Sequence, residues 1–148
     1  MRTGWVLCFL LCAAPALHAL DVTVFGSFKI LDIVRTEEKL ILPDERKKYH
    51  NVRITNRATY QFVLTCQQPC VQTLGDVVPV VQEIRPARTR LDMWIAQVDF
   101  NGAWLVTFLV FKHGDKLHIK PPQHVEFISD ALKQKTYESV SQALKGSL

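Results

Sequence analysis

Two closely spaced cysteines are the residues best suited to chemistry in this sequence. Cys66 and Cys70 enclose three residues, Gln67-Gln68-Pro69. In a reduced state, two thiolates at this spacing could hold a soft metal such as copper(I), with a histidine as the third ligand. The histidines available for that role are His113, His118 and His124. In an oxidising compartment the same pair predicts a disulfide instead, so the compartment decides between the two interpretations.

The start of the chain has the three parts of a secretory signal. Arg2 supplies a positive charge, residues 5–14 are apolar, and Ala19 is a small residue at a cleavage position. We therefore predict a signal peptide over residues 1–19 and a protein that is secreted or resides in the lumen of the secretory pathway. A retained anchor is the less favoured interpretation, because a spanning helix needs about 20 apolar residues. No later apolar run is long enough, so no transmembrane segment is expected after cleavage.

Signal cleavage also settles the cysteine count. It would remove Cys8 and Cys12 and leave Cys66 and Cys70 as an even pair. This pair predicts one disulfide, and because the ring is so short we expect it to fix a local turn and not to stabilise the whole domain. The histidines show none of the spacings of a zinc site. We therefore expect neither a bound metal nor a cofactor.

The charge of the chain is mild. Its formal net charge of +4 falls by one when Arg2 is removed, which is far from the dense basic face that nucleic-acid binding requires. No nucleic-acid partner is expected. Two basic clusters are candidate contacts with an acidic protein partner. They are Arg46, Lys47 and Lys48 in one loop, and Arg85, Arg88 and Arg90 in another. The spacing Arg85-x-x-Arg88 is also one that secretory processing proteases accept, and cleavage there stays open.

Catalytic patterns are missing from the sequence. It contains no Gly-x-Ser-x-Gly elbow, no phosphate-binding glycine loop and no recognisable pair of carboxylates. We therefore expect a protein that is not an enzyme.

The elements that would position these residues are mostly β-strands. Residues 21–34 and 58–66 show the alternation of half-buried strands, and Gly26 in the first of them predicts a bulge or a close approach of another backbone segment. Residues 77–84 contain Pro79, which favours an edge strand or an extended crossing segment. Shorter strands are predicted at residues 39–42, 51–55 and 117–120.

Asn101-Gly102 gives the clearest local signal. This dipeptide is typical of tight β-hairpin turns, and apolar runs flank it at residues 91–100 and 103–111. With Asn101 and Gly102 as the two turn residues, Val98 would pair with Leu105. Both faces of this hairpin are apolar, so we expect the returning strand in the middle of the domain, covered on both sides.

The period changes beyond Pro121-Pro122. Apolar residues recur at helical spacing, and Ser129 or Asp130 could cap a helix that runs to about residue 144. The apolar stripe is thin, which favours a surface helix or a flexible tail. Its members are Val125, Ile128, Leu132, Val140 and Leu144.

We predict a mainly β, single domain over residues 20–122, an antiparallel sandwich-like fold of immunoglobulin-like or similar type, with a C-terminal helix or flexible tail over residues 123–148. The favoured function is a non-enzymatic protein-binding module that acts on a receptor or complex partner through loops and a sheet edge. The alternative is a carrier of a small ligand or of a copper-type metal, using the Cys66/Cys70 turn or the hairpin core. The partner's identity and the oligomeric state stay open.

Overall fold

The computed structural model describes residues 18–47, 49, 51–73 and 75–148. The predicted signal peptide lies outside this part of the chain, except for its last two residues. The described residues form ten strands and two helices: β1 His18–Val24, β2 Phe28–Arg35, β3 Leu40–Ile41, β4 Val52–Ile54, α1 Arg57–Thr65, β5 Cys70–Gln72, β6 Pro79–Pro86, β7 Met93–Phe100, β8 Trp104–His113, β9 Lys116–Lys120, β10 Val125–Phe127 and α2 Asp130–Ser147.

The strands form two sheets that pack against each other. The first sheet has the order β10-β2-β1-β5, with β3 also paired to β2, and the second has the order β4-β8-β7-β6, with β9 also paired to β8. The expected mainly β, sandwich-like domain is confirmed. It departs from a fully antiparallel arrangement in one place, because β1 and β5 pair in parallel.

The space between the sheets is filled by large side chains. Phe28 of the first sheet contacts Phe100 of the second, with ring centroids 4.9 Å apart. Trp104 is fully buried, and its Nε1 donates to Oε1 of Gln72 at 2.9 Å. The Gln72 amide in turn donates to Oγ1 of Thr59 at 3.3 Å. These buried polar groups satisfy one another and join β8, β5 and α1 in one network.

Residues 21–34, expected to form one strand, make a hairpin of β1 and β2. The chain reverses at Phe25 and Gly26, whose φ values are 53° and 64°, and the Ser27 amide donates to the Val24 carbonyl at 3.0 Å. Glycine adopts left-handed angles without steric penalty. Gly26 therefore belongs to a turn, and the bulge predicted from it is wrong.

A bulge does occur in this hairpin, farther along. The register of β1 against β2 shifts between Leu20 and Val22. On the facing strand, Asp32 takes a left-handed φ of 58°, and its amide donates to Oδ1 of Asp21 at 3.1 Å. A bulge redirects the side chain at that point of a strand, and here it turns Asp32 towards the segment before β10.

The strand predicted over residues 58–66 is wrong, because this segment forms α1. Asn56 caps the helix: its Oδ1 accepts a hydrogen bond from the Thr59 amide at 2.7 Å, which satisfies one of the unpaired donors of the first turn. The buried residues of α1 are Thr59 and Val63, four apart as a helical face requires. The alternating apolar residues of this segment suggest a strand, but the cap at Asn56 and the spacing of the buried residues belong to a helix.

Asn56→Ala should lower the free energy of unfolding by about 1–2 kcal/mol, because it removes the N-cap. The substitution also removes the bond from Nδ2 of Asn56 to the Gly102 carbonyl, which is 2.8 Å long. Urea unfolding of the purified protein measures the loss. Asn56→Asp is the matched control, since it keeps the capping oxygen and loses only the bond to Gly102. Equal stability of the alanine variant and the wild type would contradict this role of Asn56.

The β7–β8 hairpin is confirmed, but its register differs by one residue from the prediction. Asn101 and Gly102 adopt left-handed φ values of 57° and 65°, and Ala103 joins them in a three-residue loop. Val98 consequently pairs with Val106, not with Leu105. Ala103 is buried, and its carbonyl accepts a hydrogen bond from the Thr55 amide at 3.0 Å. The extra loop residue is held by this contact with the end of β4.

The positions of the second-sheet strands follow the prediction. β8 lies in the middle of the sheet, with β7 on one side and β4 and β9 on the other. β6 lies at the edge, and Pro79 is its first residue, where the missing amide hydrogen has least effect on the ladder.

The C-terminal segment forms a helix that packs into the core. Ser129 caps α2, with its Oγ accepting from the Leu132 amide at 3.2 Å. Thr136 interrupts the apolar stripe but is buried, and its hydroxyl donates to the Leu132 carbonyl at 2.8 Å. Val125 belongs to β10, which pairs with β2, and not to the helical stripe in which it was placed. The buried residues of α2 are Leu132, Thr136, Val140 and Leu144.

Candidate partner-binding loop

The loop between β6 and β7, residues 87–92, presents an apolar side chain entirely to solvent. Leu91 has a relative accessible surface of 101%. The strand predicted over residues 91–100 includes Leu91, but the observed strand β7 begins at Met93. Single exposed leucines are common on protein surfaces, so the importance of Leu91 depends on how firmly the loop holds it.

The residues on either side of Leu91 are fixed to each other and to β8. Arg90 donates from Nε and Nη2 to the two carboxylate oxygens of Asp92, at 3.1 and 2.9 Å. The Arg90 guanidinium also lies 5.3 Å from the ring centroid of Phe111. The Asp92 carbonyl accepts from the Lys112 amide at 2.9 Å. The hydrogen bond from Arg90 lowers the pKa of Asp92, against a smaller opposing effect of desolvation, which shows that the contact favours the carboxylate form of Asp92.

A small apolar cluster supports the base of the loop. Ala87, Met93 and Ile95 are buried together on the outer face of the second sheet, which is the face directed away from the first sheet. The Ala87 amide donates to the Met93 carbonyl at 2.9 Å and continues the strand pairing into the loop. Tyr49, Leu109 and Phe111 pack against this cluster. The loop is therefore a preorganised structure that holds Leu91 in a defined place.

The three predicted arginines of this region differ in whether their positive charge is paired with a carboxylate of the protein itself. Arg85 lies in β6, opposite Ile95, and its Nε is 3.7 Å from a Glu83 carboxylate oxygen. Arg90 is neutralised by Asp92. Arg88 is exposed, and no carboxylate of the described residues forms an ion pair with it. Arg88 is therefore the arginine of this loop best placed to meet a carboxylate of another molecule.

The second basic cluster lies on a segment that crosses the same face of the sheet. The Asn51 side chain anchors this segment, accepting from the Thr107 hydroxyl and donating to the Lys47 carbonyl, both at 2.9 Å. Lys47 pairs with Asp44 at 2.9 Å, Arg46 is exposed, and Lys48 lies outside the described residues. Because Tyr49 packs against the cluster below the β6–β7 loop, both predicted basic segments contact one face of the molecule.

The chain was compared with known families and proteins. No family model, curated protein or solved structure matches it.

The edge strand β6 is a less open surface than its position suggests. Val80 is about half exposed, at 48%, but Pro79 and Pro86 stand at the two ends of the strand and lack the amide hydrogens that an added strand would use. The register against β7 also shifts between Val81 and Glu83. Prolines and bulges protect sheet edges against pairing, so the loop is the better contact surface.

Cys66 and Cys70 are joined by a disulfide, with their Cα atoms 5.6 Å apart. The bond connects the C-cap of α1 to the first residue of β5. In this oxidised state the sulfurs are bonded to each other, and the copper-type site of the alternative interpretation would require the reduced pair. Within the described ranges, no hydrogen bond or ion pair joins His113, His118 or His124 to this turn, and His124 is paired with Asp32 and Asp44 instead. Among the residues that the structure describes, no three histidine, cysteine or acidic side chains are grouped as metal ligands would be.

His124 connects three parts of the fold. Its Nδ1 lies 3.0 Å from Oδ2 of Asp32, and its Nε2 lies 3.7 Å from Oδ2 of Asp44. Its carbonyl accepts from the Leu31 amide at 2.8 Å. Asp32 and Asp44 both have left-handed φ values, 58° and 55°. The histidine thus joins the β2 bulge, the turn after β3 and the segment before β10, whereas His113 and His118 are exposed on the second sheet.

Proposed function

We propose that this protein is a secreted or lumenal module that binds a protein partner through the β6–β7 loop. Leu91 is the apolar anchor, and Arg88 is the charged contact beside it. The partner has a small apolar pocket with a carboxylate at its rim. The full exposure of Leu91 on a fixed loop carries this proposal, since anchors of this kind lose little conformational freedom on binding.

The compartment in this proposal comes from the N-terminal sequence and the disulfide. Residues 1–19 have the composition of a secretory signal, and disulfides persist in oxidising compartments. In the described part of the chain, no helix is long and apolar enough to cross a membrane.

Charge favours a protein over a nucleic acid as the partner. Arg90 and Arg85 face the acidic residues Asp92 and Glu83, so two of the three arginines in and beside the loop have an acidic partner. Nucleic-acid binding depends on many cations facing phosphates at once. An interface in which one buried apolar side chain supplies most of the affinity needs only one or two such contacts.

Leu91→Ser should weaken partner binding about 30-fold, and Arg88→Glu should weaken it about tenfold, as expected for an anchor and its charged neighbour. The tagged full chain is expressed in secreting cells, the co-purifying protein is identified, and the Kd of the purified pair is measured for each variant. Neither side chain supports the core, so the thermal midpoints of the variants should match that of the wild type.

Ile128→Ser is the matched control, because Ile128 is a 48% exposed apolar residue outside the loop. It should leave the Kd unchanged. An unchanged Kd for Leu91→Ser would overturn the proposal. Binding to anionic lipid vesicles that is lost in Leu91→Ser, in the absence of any protein partner, would overturn it as well and would make the loop a membrane contact.

A further inference from the structure

The two cysteines of the disulfide differ in burial. Cys70 is 2% exposed and belongs to the core, whereas Cys66 is half-buried at the end of α1, and the three residues between them are exposed. Disulfides are broken by a thiolate that must reach one of the sulfurs. Cys66 is therefore the more accessible cysteine of the pair.

A fixed positive charge lies beside Cys66. Nη1 of Arg35, the last residue of β2, is 3.7 Å from the Cys66 sulfur. The same nitrogen donates to the Cys66 carbonyl and, at 3.2 Å, to the Val63 carbonyl. A helix C-terminus alone disfavours a thiolate, but a neighbouring guanidinium, which stays charged at all relevant pH values, favours it. Arg35 thus binds the helix end and stabilises negative charge on the Cys66 sulfur.

The elements that the disulfide connects are also held by other bonds. The Cys66 amide donates to the Phe62 carbonyl at 2.8 Å, β5 pairs with β1 over three residues, and Gln72 is bonded to Trp104 in the core. A ring this short contributes little through chain entropy. Opening the bond should leave the fold intact, which suits a disulfide that is made and broken in the folded protein.

We propose that Cys66–Cys70 is a thiol–disulfide exchange site for small thiols of the glutathione class, with Cys66 as the reacting sulfur and Cys70 as the resolving one. A glutathione thiolate attacks the Cys66 sulfur, the S–S bond breaks, and Cys70 leaves as a thiolate that takes up a proton. A second glutathione thiolate then attacks the mixed disulfide and releases the Cys66 thiolate beside Arg35. In total, the protein disulfide is reduced by two electrons and two glutathione molecules are oxidised to their disulfide.

A groove beside the exchange loop, next to Cys70 and not to Cys66, has room for the body of such a thiol. Its volume is about 400 Å³, and Gln68, Pro69 and Cys70 line one side of it. Lys29, Asp21 and Asp32 line it as well, so it offers one positive and two negative charges to a short peptide that carries an amine and carboxylates. The presence of both signs is the reason for naming a zwitterionic peptide thiol such as glutathione and not an uncharged thiol.

The first experiment uses the oxidised full chain under native conditions. The protein is incubated with reduced glutathione, free thiols are blocked at intervals, and intact mass and peptide mapping follow the products. We expect one glutathione on Cys66, followed by the dithiol, with an unchanged circular dichroism spectrum. A disulfide that resists reduction until denaturant is added would overturn the proposal, and so would glutathione on Cys70.

The second experiment tests Arg35. In Cys70→Ser, the Cys66 thiol should react with iodoacetamide at least tenfold faster than the Cys70 thiol reacts in Cys66→Ser. Adding Arg35→Gln should slow the Cys66 reaction about threefold at neutral pH, since a higher thiol pKa reduces the thiolate fraction more than it raises the nucleophilicity. It should also shift the pH profile of the rate upward, and Arg35→Lys should restore both. Loss of the helix-end bonds alone would not move the pH profile, so an unmoved profile would overturn the role of Arg35. If Cys70→Ser does not fold, the wild-type reduction decides the proposal.

Discussion

Phe28→Ala is expected to lower the free energy of unfolding by about 3–5 kcal/mol. Phe28 is fully buried. Its ring centroid lies 4.9 Å from that of Phe100 in the facing sheet and 6.3 Å from that of Phe127 in β10. Truncation would leave a cavity between the two sheets and remove the aromatic pair that links them. Urea unfolding followed by tryptophan fluorescence measures the change, because Trp104 lies in the same core.

Val71→Ala is the matched control, because Val71 is 42% exposed on β5 and its truncation should cost about 0.5 kcal/mol or less. If the alanine variant does not fold, Phe28→Leu keeps the test measurable, with an expected loss of about 1–1.5 kcal/mol. A loss below about 1 kcal/mol for Phe28→Ala would show that the two sheets do not depend on this contact.

Asn101→Pro is expected to destabilise the domain by about 3 kcal/mol or more. Asn101 has a φ of 57°, and the proline ring fixes φ near −65°. The substitution also removes two side-chain hydrogen bonds to the segment that precedes β6. Oδ1 of Asn101 accepts from the Val78 amide at 2.9 Å, and its Nδ2 donates to the Asp76 carbonyl at 3.1 Å.

Asn101→Gly separates these two causes. Glycine accepts the left-handed angle, so this variant should lose only the side-chain bonds, about 1–2 kcal/mol in all. Thermal and urea unfolding of the two variants, side by side with the wild type, give the difference. A proline variant as stable as the glycine variant would show that the turn tolerates a right-handed residue.

The sequence was informative where a single residue type controls the backbone. Asn101-Gly102 located the central hairpin and Pro79 located the edge strand, because few conformations suit those residues. The register of the hairpin could not be predicted. Ala103 is apolar and buried, so in sequence it resembles the first residue of the next strand, and only its contact with Thr55 makes it part of the loop.

The helix α1 was missed because its apolar residues fit two periods. Tyr60, Phe62 and Leu64 alternate as in a strand, yet the buried face is formed by Thr59 and Val63. The signal that could have identified the helix is a capping residue, Asn56, followed by Thr59 and Val63, which are four residues apart and so lie on one helical face.

The candidate site was predicted in part. The cluster of Arg85, Arg88 and Arg90 was recognised from composition, but Leu91 was assigned to a strand, and the pairing of Arg90 with Asp92 depends on the loop conformation. The contacts of Arg35 with Cys66 and of His124 with Asp32 join residues 31 and 92 positions apart. Contacts over such distances depend on strand order and bulges, for which a single sequence gives no signal.

The pairing of β10 with β2 also has a consequence for biogenesis. The strand at residues 125–127 completes the edge of a sheet that begins within the first strands of the chain. Contacts between segments this distant in sequence form slowly, because long loops must close first. A nascent chain therefore lacks the β10 side of this sheet, and Phe28 lacks its contact with Phe127, until residues 125–127 have been synthesised. An export machinery that requires an unfolded substrate would meet an incomplete first sheet until then.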